Sequence, residues 1–344
     1  MIHLLRANHA NEFELQNYKG IKNLEVITSQ HPLTDISLPS TKLWSPTDLP
    51  RFPFRRQLLN RAIGGEQWLV GLEKAITHHY HNSNHSSIVH TAETYTPYTH
   101  QAVQLRRRGV IDKLVCTCWE TIPGNNEKFM RLRKWKAEAY KYVDVLHTPT
   151  RRAKDALIAE GVDLNKIVVI PYGVNLLRFH SPIIHNSKFK IHKRPTILMV
   201  ARPVYEKGID IFREVSQQLA SMADFRLVSD AKYSDMPSIY QSADLFFLPS
   251  RATPTWEEQY GMALIEAMAS GLPIVTTDSG AIPEVIGDAG ITLQECDVDK
   301  MVTTIRDLLS HPDLLRKYSS LSLARARNLY DSGKIAIKLG KLYS

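Results

Sequence analysis

The sequence predicts an α/β protein built from two Rossmann-like domains in tandem, each a parallel sheet covered by helices. Three observations lead there. The chain has 344 residues, a length that suits two domains at roughly 100–200 residues each. Strand-sized apolar runs alternate with helical patterns in both halves, and such alternation implies parallel sheets. Between the halves, residues 171–195 (PYGVNLLRFHSPIIHNSKFKIHKRP) are polar, aperiodic and contain proline, which marks a hinge.

In the first half the strand runs are 2–5 (IHLL), 24–28 (LEVIT), 87–91 (SIVHT), 113–118 (KLVCTC), 143–147 (VDVLH) and 167–171 (IVVIP). Helical stretches fall near 56–80, 97–109, 128–142 and 150–160. In the second half the strands are 196–201 (TILMVA), 225–229 (FRLVS), 244–248 (DLFFL) and 273–277 (PIVTT), with helices near 208–221, 235–242, 260–270 and 297–310. After about residue 311 the pattern is helical to Ser344. These last helices have no strand to follow, so the expected domains are 1–175 and 176–324, with 325–344 crossing back onto the first.

Composition excludes several classes. Hydrophobic residues are 43% and charged residues 23%, ordinary globular usage that leaves no place for a disordered or fibrous chain. No apolar run reaches the roughly 18 residues that a membrane span needs, and the first residues lack a signal-peptide pattern. The expected location is the cytoplasm, with peripheral attachment to the inner membrane face as the variant. Three cysteines, Cys116, Cys118 and Cys296, are too few for a disulfide framework. Net charge is +8, and it is uneven: 23 Lys and Arg face 16 Asp and Glu up to Asn175, against 20 and 19 after it. The first half is therefore expected to meet something anionic.

Three clusters in the second half carry chemistry. In 198–208 (LMVARPVYEKG) a strand ends in Arg202, and a short loop delivers Lys207 ahead of a helix. Two cations at a helix start suit a diphosphate; the competing reading pairs Arg202 with Glu206 and leaves Lys207 in solvent. In 249–271 (PSRATPTWEEQYGMALIEAMASG) Glu258 and Glu266 are separated by seven residues, about two helical turns, so both can face one side. Ionised carboxylates only accept hydrogen bonds, which suits the diol of a ribose or hexose; the competing reading is an acidic helix start on the surface. Tyr260 and Gly261 lie between them. In 276–284 (TTDSGAIPE) the amides of Ser279, Gly280, Ala281 and Ile282 follow a strand and are candidates to meet an anion or a sugar hydroxyl; a plain tight turn reads the same way.

VARPVYEKG, EQYGMALIEAMASGLPIV, DSGAIPE and PYGVN at 171–175, in this order and spacing over about residues 143–310, resemble the retaining glycosyltransferases of family 4, which have the GT-B fold. The resemblance implies two Rossmann-like domains with a cleft between them, closing about 171–195. It implies a nucleotide-diphosphate sugar as donor substrate, with no cofactor and no metal. Arg202 and Lys207 would hold the diphosphate, Glu266 the ribose diol, Glu258 the sugar hydroxyls, and Tyr260, Gly261 and the 279–282 segment the rest of the donor. Arg202, Lys207 and Glu258 would be the catalytic set. The acceptor, a glycan, a lipid-linked sugar or a small molecule, would lie against the first domain. The family's glycine pair after the first strand is missing from RANHANEFE, where Asn8, His9 and Asn11 stand instead. The family often ends a first-domain strand in histidine; the corresponding run LVCTCWETIPG places Trp119 and Glu120 there, and Glu93 ends another strand. Asn8, Glu93, Trp119 and Glu120 are thus the acceptor-side or sugar-side candidates, a strand-end salt bridge being the plain alternative for the two glutamates. The second domain is short between Phe225 and Leu245, with room for one helix.

Other signals are weaker. His78, His79, His81, His85 and His90 mix a helix end with a loop and lack partners at ligand spacing, so no metal site is expected. Cys116 and Cys118 read as core. The stretch 128–141 (KFMRLRKWKAEAYK) is basic and amphipathic enough to lie on an anionic membrane, and Arg106–Arg108, Arg51, Arg55 and Arg56 would widen the patch; the competing reading packs Phe129, Leu132 and Trp135 onto the sheet. No nucleic-acid module is present, so nucleic acid is not an expected partner. Two rival functions share the fold: a catalytically silent sugar-nucleotide or carbohydrate-binding protein, and a phosphorylase or epimerase.

Overall fold

The computed structural model describes residues 1–50, 52–78, 86–179 and 194–344. It divides into two compact units, Met1–Ile170 with Ile335–Ser344, and Pro171–Lys334.

The first unit contains β1 (Ile2–Ala7), α1 (Glu12–Leu15), β2 (Leu24–Thr28), β3 (Ser40–Lys42), α2 (Arg55–Ile63), α3 (Leu72–His78), β4 (Ile88–Ala92), α4 (Pro97–Arg107), β5 (Lys113–Thr117), α5 (Met130–Tyr142), β6 (Val145–Thr148), α6 (Arg151–Ala159) and β7 (Ile167–Val169). All its strands are parallel, in the order β3-β2-β1-β4-β5-β6-β7. β1, β2 and β4 are buried along their whole length, the mark of a sheet covered on both faces. Strand order reverses between β1 and β4, and in such sheets ligands bind beyond the carboxyl ends at that point. Cys116 and Cys118 lie in the core. β3, exposed and three residues long, has no apolar run to announce it. The helix expected over 56–80 is instead α2 and α3, because Gly64, Gly65 and Gly71 all take positive φ, which ends a helix cheaply only at glycine.

Arg6 is buried. It donates to Glu14 at 2.8 Å and to the carbonyls of Leu5 and His90 at 3.0 and 3.1 Å. A second buried chain of hydrogen bonds runs from Tyr343 through His90 Nδ1 (2.7 Å), His90 Nε2 to Thr117 (2.7 Å), Thr117 to His147 Nδ1 (2.9 Å) and His147 Nε2 to the Ile170 carbonyl (2.7 Å). A carbonyl only accepts, so His147 carries its proton on Nε2; every proton along the chain then points from Tyr343 toward Ile170, and both rings are neutral. Burial holds His90 well below the ordinary histidine range and His147 down at about 4.

The second unit contains β8 (Thr196–Val200), α7 (Ile209–Gln218), β9 (Asp224–Val228), α8 (Met236–Gln241), β10 (Leu245–Leu248), α9 (Met262–Ala269), β11 (Ile274–Thr277), α10 (Ile282–Ile286), β12 (Ile291–Leu293), α11 (Val298–Ser310) and α12 (Pro312–Leu329). Its strands are parallel in the order β12-β11-β10-β8-β9, so the order reverses between β8 and β10. One α-helix, α8, stands between β9 and β10. Tyr172 and Val174 of the PYGVN segment are buried and open this unit. Val174 donates to the Tyr330 carbonyl at 2.9 Å and accepts from Ser332 at 3.1 Å.

The chain leaves the second unit later than 325. On α12, Ser319 donates to the Gly271 carbonyl (2.6 Å), Ser322 to Leu272 (2.8 Å), and Arg325 to Val285 and Glu284 (both 2.7 Å). These bonds satisfy carbonyls just past α9 and within α10, so α12 belongs to the second sheet. The first unit resumes at Ile335, inside α13 (Ser332–Gly340), and the tail is anchored by Tyr343 and by Lys113 donating to the Ser344 carbonyl at 2.5 Å.

Candidate functional site

In the second unit the loops after β8, β10 and β11 all leave the carboxyl edge where the strand order reverses, and they carry the three clusters. Gly208, at φ 71°, lets the loop after β8 turn into α7; a Cβ there would lie 1.9 Å from the Pro249 carbonyl oxygen, so only glycine permits this approach to the loop after β10. Gly280, at φ 58°, does the same for the third loop: its Cβ would lie 2.3 Å from the Glu258 carbonyl oxygen. The backbone at Glu258 is thereby pressed onto the turn 279–281.

The side chains meet too. Lys207 Nζ lies 2.5 Å from Glu258 Oε2 and 4.9 Å from the centre of the Trp256 ring. Ser250 donates to the same carboxylate oxygen at 3.3 Å. Lys207 is therefore paired, not solvated. Arg202 is exposed and forms no ion pair among the described residues, Glu206 included. Glu266 lies inside α9, 6% exposed, and accepts from Tyr240 at 2.8 Å. Desolvation raises its carboxyl to about 7, although the Tyr240 bond and the Arg178 charge both pull downward. Near neutrality it is poised between acid and carboxylate.

Several expected contacts are used up internally. The amide of Ala281 donates to the Glu258 carbonyl at 2.7 Å and that of Ile282 to Ser279 at 3.2 Å, so neither is presented to a ligand; the turn spends them to hold Glu258. Ser279 Oγ, by contrast, is buried without a partner. Tyr260 is buried and its hydroxyl donates to the Tyr172 carbonyl, so its side chain ties the PYGVN segment to the α9 entry instead of lining a ligand site. Gly261, at φ 79°, is the N-cap of α9.

Two residues without a sequence signal shape this edge. Arg251 is buried, stacked 4.1 Å from the Tyr205 ring centre, and both carboxylate oxygens of Asp210 lie 2.8 Å from it. Its amide donates to the Glu206 carbonyl at 2.9 Å. It joins the Lys207 loop, α7 and the Glu258 loop. Arg178 lies over the Tyr233 ring at 3.9 Å. A lone arginine in a loop carries no signal beyond its place just after a strand end, as with Arg251.

In the first unit, Glu93 directly follows β4 at φ 59°, a conformation costly for a non-glycine residue. Its Oε1 accepts from the Trp119 amide at 2.8 Å, which joins the ends of β4 and β5. Desolvation pushes its carboxyl up to about 8, with the nearby Glu120 charge adding and the Trp119 bond opposing. Glu120 is fully engaged by its own loop: it accepts from the amides of Thr121 and Ile122 (3.0 and 3.1 Å) and the side chains of Asn125 and Asn126 (3.0 and 2.7 Å). It is a loop organiser, not an open acceptor-side carboxylate. Asn8 Oδ1 is buried without a partner. Asn11 is committed as the N-cap of α1, accepting from Glu14 at 2.8 Å.

Among the described residues no group of three His, Cys, Asp or Glu is placed to hold a metal; His79, His81 and His85 lie outside them. Nor is any described helix long and apolar enough to cross a membrane. Of the 128–141 stretch, Trp135 is buried, Phe129 and Met130 are exposed, and Lys136 is buried between Glu127 (3.1 Å) and Glu160 (2.7 Å).

Two parallel-sheet α/β units in one chain are the architecture of GT-B glycosyltransferase structures. Sucrose-phosphate synthase from Thermosynechococcus elongatus superposes with a TM-score of 0.72 at 15% identity over 99% of this chain and 98% of that one. Anabaena HepE in complex with UDP gives 0.71 at 15% identity over the same shares. Residues 215–311, which include Glu258, Glu266 and the 279–282 turn, match the family model described as Glycosyl transferases group 1. A Campylobacter jejuni N,N'-diacetylbacillosaminyl-diphospho-undecaprenol alpha-1,3-N-acetylgalactosaminyltransferase is 29% identical over 53% of this chain and 55% of its own length. The chain spans about half the length of such curated relatives. The chain is thus similar in fold to GT-B glycosyltransferases along its length and similar in sequence to group 1 glycosyltransferases over residues 215–311.

Proposed function

We propose that the chain is a configuration-retaining glycosyltransferase that takes a hexose-type sugar from a nucleotide diphosphate and passes it to a glycan, lipid-linked or small-molecule acceptor, with the donor on Pro171–Lys334 and the acceptor on the first unit. The observation that carries this reading is the convergence, at one carboxyl edge, of Lys207, Glu258 and the Ser279–Gly280 turn, held together by close backbone approaches that only glycine permits. The UDP bound to HepE points to a nucleotide-sugar donor.

Breaking a glycosyl–phosphate bond leaves negative charge on the departing diphosphate. Fixed cations that meet this charge lower the barrier, and Lys207 and Arg202 are proposed to supply them, so transfer is expected without added metal. Lys207 is held by Glu258. A diphosphate offers it a stronger partner, and the exchange frees Glu258 to accept from sugar hydroxyls. Glu258 then positions the sugar, the leaving-group oxygen takes the acceptor proton, and Glu266 accepts from the ribose diol. Glu93 is proposed for the acceptor side. A cytoplasmic location goes with this reading, since nucleotide sugars are the donor.

The test is release of nucleoside diphosphate from a panel of UDP-, GDP- and ADP-sugars, with no added metal, with and without an acceptor mixture. One donor giving acceptor-stimulated release that Lys207→Ala abolishes supports the transferase. Nucleotide binding without release from any donor supports the silent binding protein.

A further inference from the structure

Lys207 has a neighbour besides Glu258. The centre of the Trp256 ring lies 4.9 Å from its ammonium, within the range at which a cation is drawn to an aromatic face. Trp256 is half-buried and the Lys207 side chain is 16% exposed, so much of the water that would screen this attraction is excluded.

The ring is carried by a turn that its surroundings fix on both sides. Thr253 donates its amide to the Trp256 carbonyl at 2.7 Å and accepts from the Trp256 amide at 3.4 Å, closing a tight turn through Pro254 and Thr255. Ahead of the turn, both carboxylate oxygens of Glu295 accept from the Ala252 amide, at 2.9 and 2.8 Å, and Arg251 is tied to Asp210. Behind it, the Glu258 carbonyl accepts from the Ala281 amide at 2.7 Å. Tryptophan has only two side-chain torsions, so a ring on a backbone this fixed loses little freedom by staying in one place.

The two partners of Lys207 differ in what a donor does to them. Glu258 is a carboxylate, and sugar hydroxyls compete for it. The indole face is a far weaker acceptor of their hydrogen bonds, and its negative quadrupole repels phosphate oxygens. An ammonium carries three N–H donors on a flexible four-carbon stem, so it can meet phosphate oxygens on one side and keep the ring on the other. Without the ring, a lysine released by Glu258 is free to swing into solvent.

We propose that Trp256 is a positioning residue for Lys207: its ring retains the ammonium at the carboxyl edge when Glu258 turns to the sugar, and so sets where that charge meets the departing diphosphate. This deepens the donor reading given above and rests on it. Trp256 acts through the lysine and makes no bond to the phosphates.

The experiment is a double-mutant cycle on the full chain. Inorganic pyrophosphate, which carries the charge of the departed group, is the probe in calorimetric titrations, and initial rates are taken with any donor that the parent turns over. Trp256→Leu should weaken pyrophosphate binding about three- to tenfold and Trp256→Phe only about twofold, the order in which these faces attract a cation. In the Lys207→Ala background Trp256→Leu should change binding by less than about 1.5-fold, because the residue it acts through is gone. With a donor, Trp256→Leu should lower kcat by about three- to tenfold and move the donor KM by less than about twofold, since the charge that Lys207 meets develops in the transition state. Thermal melts of Trp256→Phe should match the parent; if Trp256→Leu melts early, the cycle is read from Trp256→Phe. An equal loss with and without Lys207, a phenylalanine variant as poor as the leucine one, or a parent that does not bind pyrophosphate would overturn the proposal. Turnover that Trp256→Leu leaves unchanged would refute the positioning role and leave the transferase standing; a pyrophosphate cycle that comes out as expected in a chain that turns over no donor would do the reverse.

Discussion

Replacing Glu266 with glutamine should stabilise the protein at alkaline pH while weakening its hold on a nucleotide. Glu266 is 6% exposed on α9, and burial raises its carboxyl from 4.5 to about 7. The unfolded chain releases this proton first. Above pH 4.5 the unfolded state is favoured progressively, and the penalty is complete once the pH exceeds the folded value near 7. At about 1.4 kcal/mol per unit, the penalty is under ~1 kcal/mol at pH 5 and about 3 kcal/mol at pH 8. Glutamine keeps the shape and an oxygen to accept from Tyr240, but has no charge to desolvate. Urea unfolding of both proteins at pH 5 and pH 8 should therefore show the stability difference moving by about 2–3 kcal/mol in favour of the Glu266→Gln variant as the pH rises. A difference that stays constant with pH would refute the desolvation argument. In the same samples nucleotide affinity should fall for the variant, since it offers the ribose diol a weaker acceptor.

Further expectations come from neighbouring geometry. Lys207→Ala should lower acceptor-dependent turnover by about 10²–10³-fold, the scale of losing one charge-stabilising donor, as read by initial rates at saturating donor. Gly280→Ala should cost about 2 kcal/mol or more in denaturant unfolding and disable donor binding, because the added Cβ meets the Glu258 carbonyl at 2.3 Å and the φ of 58° is strained for alanine. Acid should loosen the first unit. His147 is held at about 4 by burial, so its contribution is fully present above the unfolded value near 6.5 and is lost, by about 3 kcal/mol, as the pH falls from 6.5 to 4. His147→Gln should flatten that profile in equilibrium unfolding monitored by circular dichroism.

Much of this protein is legible residue by residue. The strand runs of β1, β2, β4 and β8 are rich in apolar residues because both faces of a parallel sheet are buried, and the segments after β8, β10 and β11 carry their chemistry in Lys207, Glu258, Glu266 and the DSGA turn. β3 and β12 are not legible, because three half-exposed residues carry no periodic signal. The break within 56–80 is carried by the glycines at 64, 65 and 71, whose positive φ overrides the helical periodicity around them. The later exit from the second unit depends on Ser319, Ser322 and Arg325, ordinary surface residues in sequence that find carbonyls in the fold.

The sequence by itself determined the α/β alternation, the two sheets and the kinds of side chain delivered to their carboxyl edges, because these depend on local pattern and on chain direction. The tertiary structure alone decided which of those groups remain available. Lys207 is held by Glu258, the Ala281 amide by the Glu258 carbonyl, the Tyr260 hydroxyl by Tyr172 and the Glu120 carboxylate by its own loop. Satisfying a buried polar group requires a partner brought from elsewhere in the chain, and desolvation, which sets Glu266 near 7 and His147 near 4, depends on everything packed around a group.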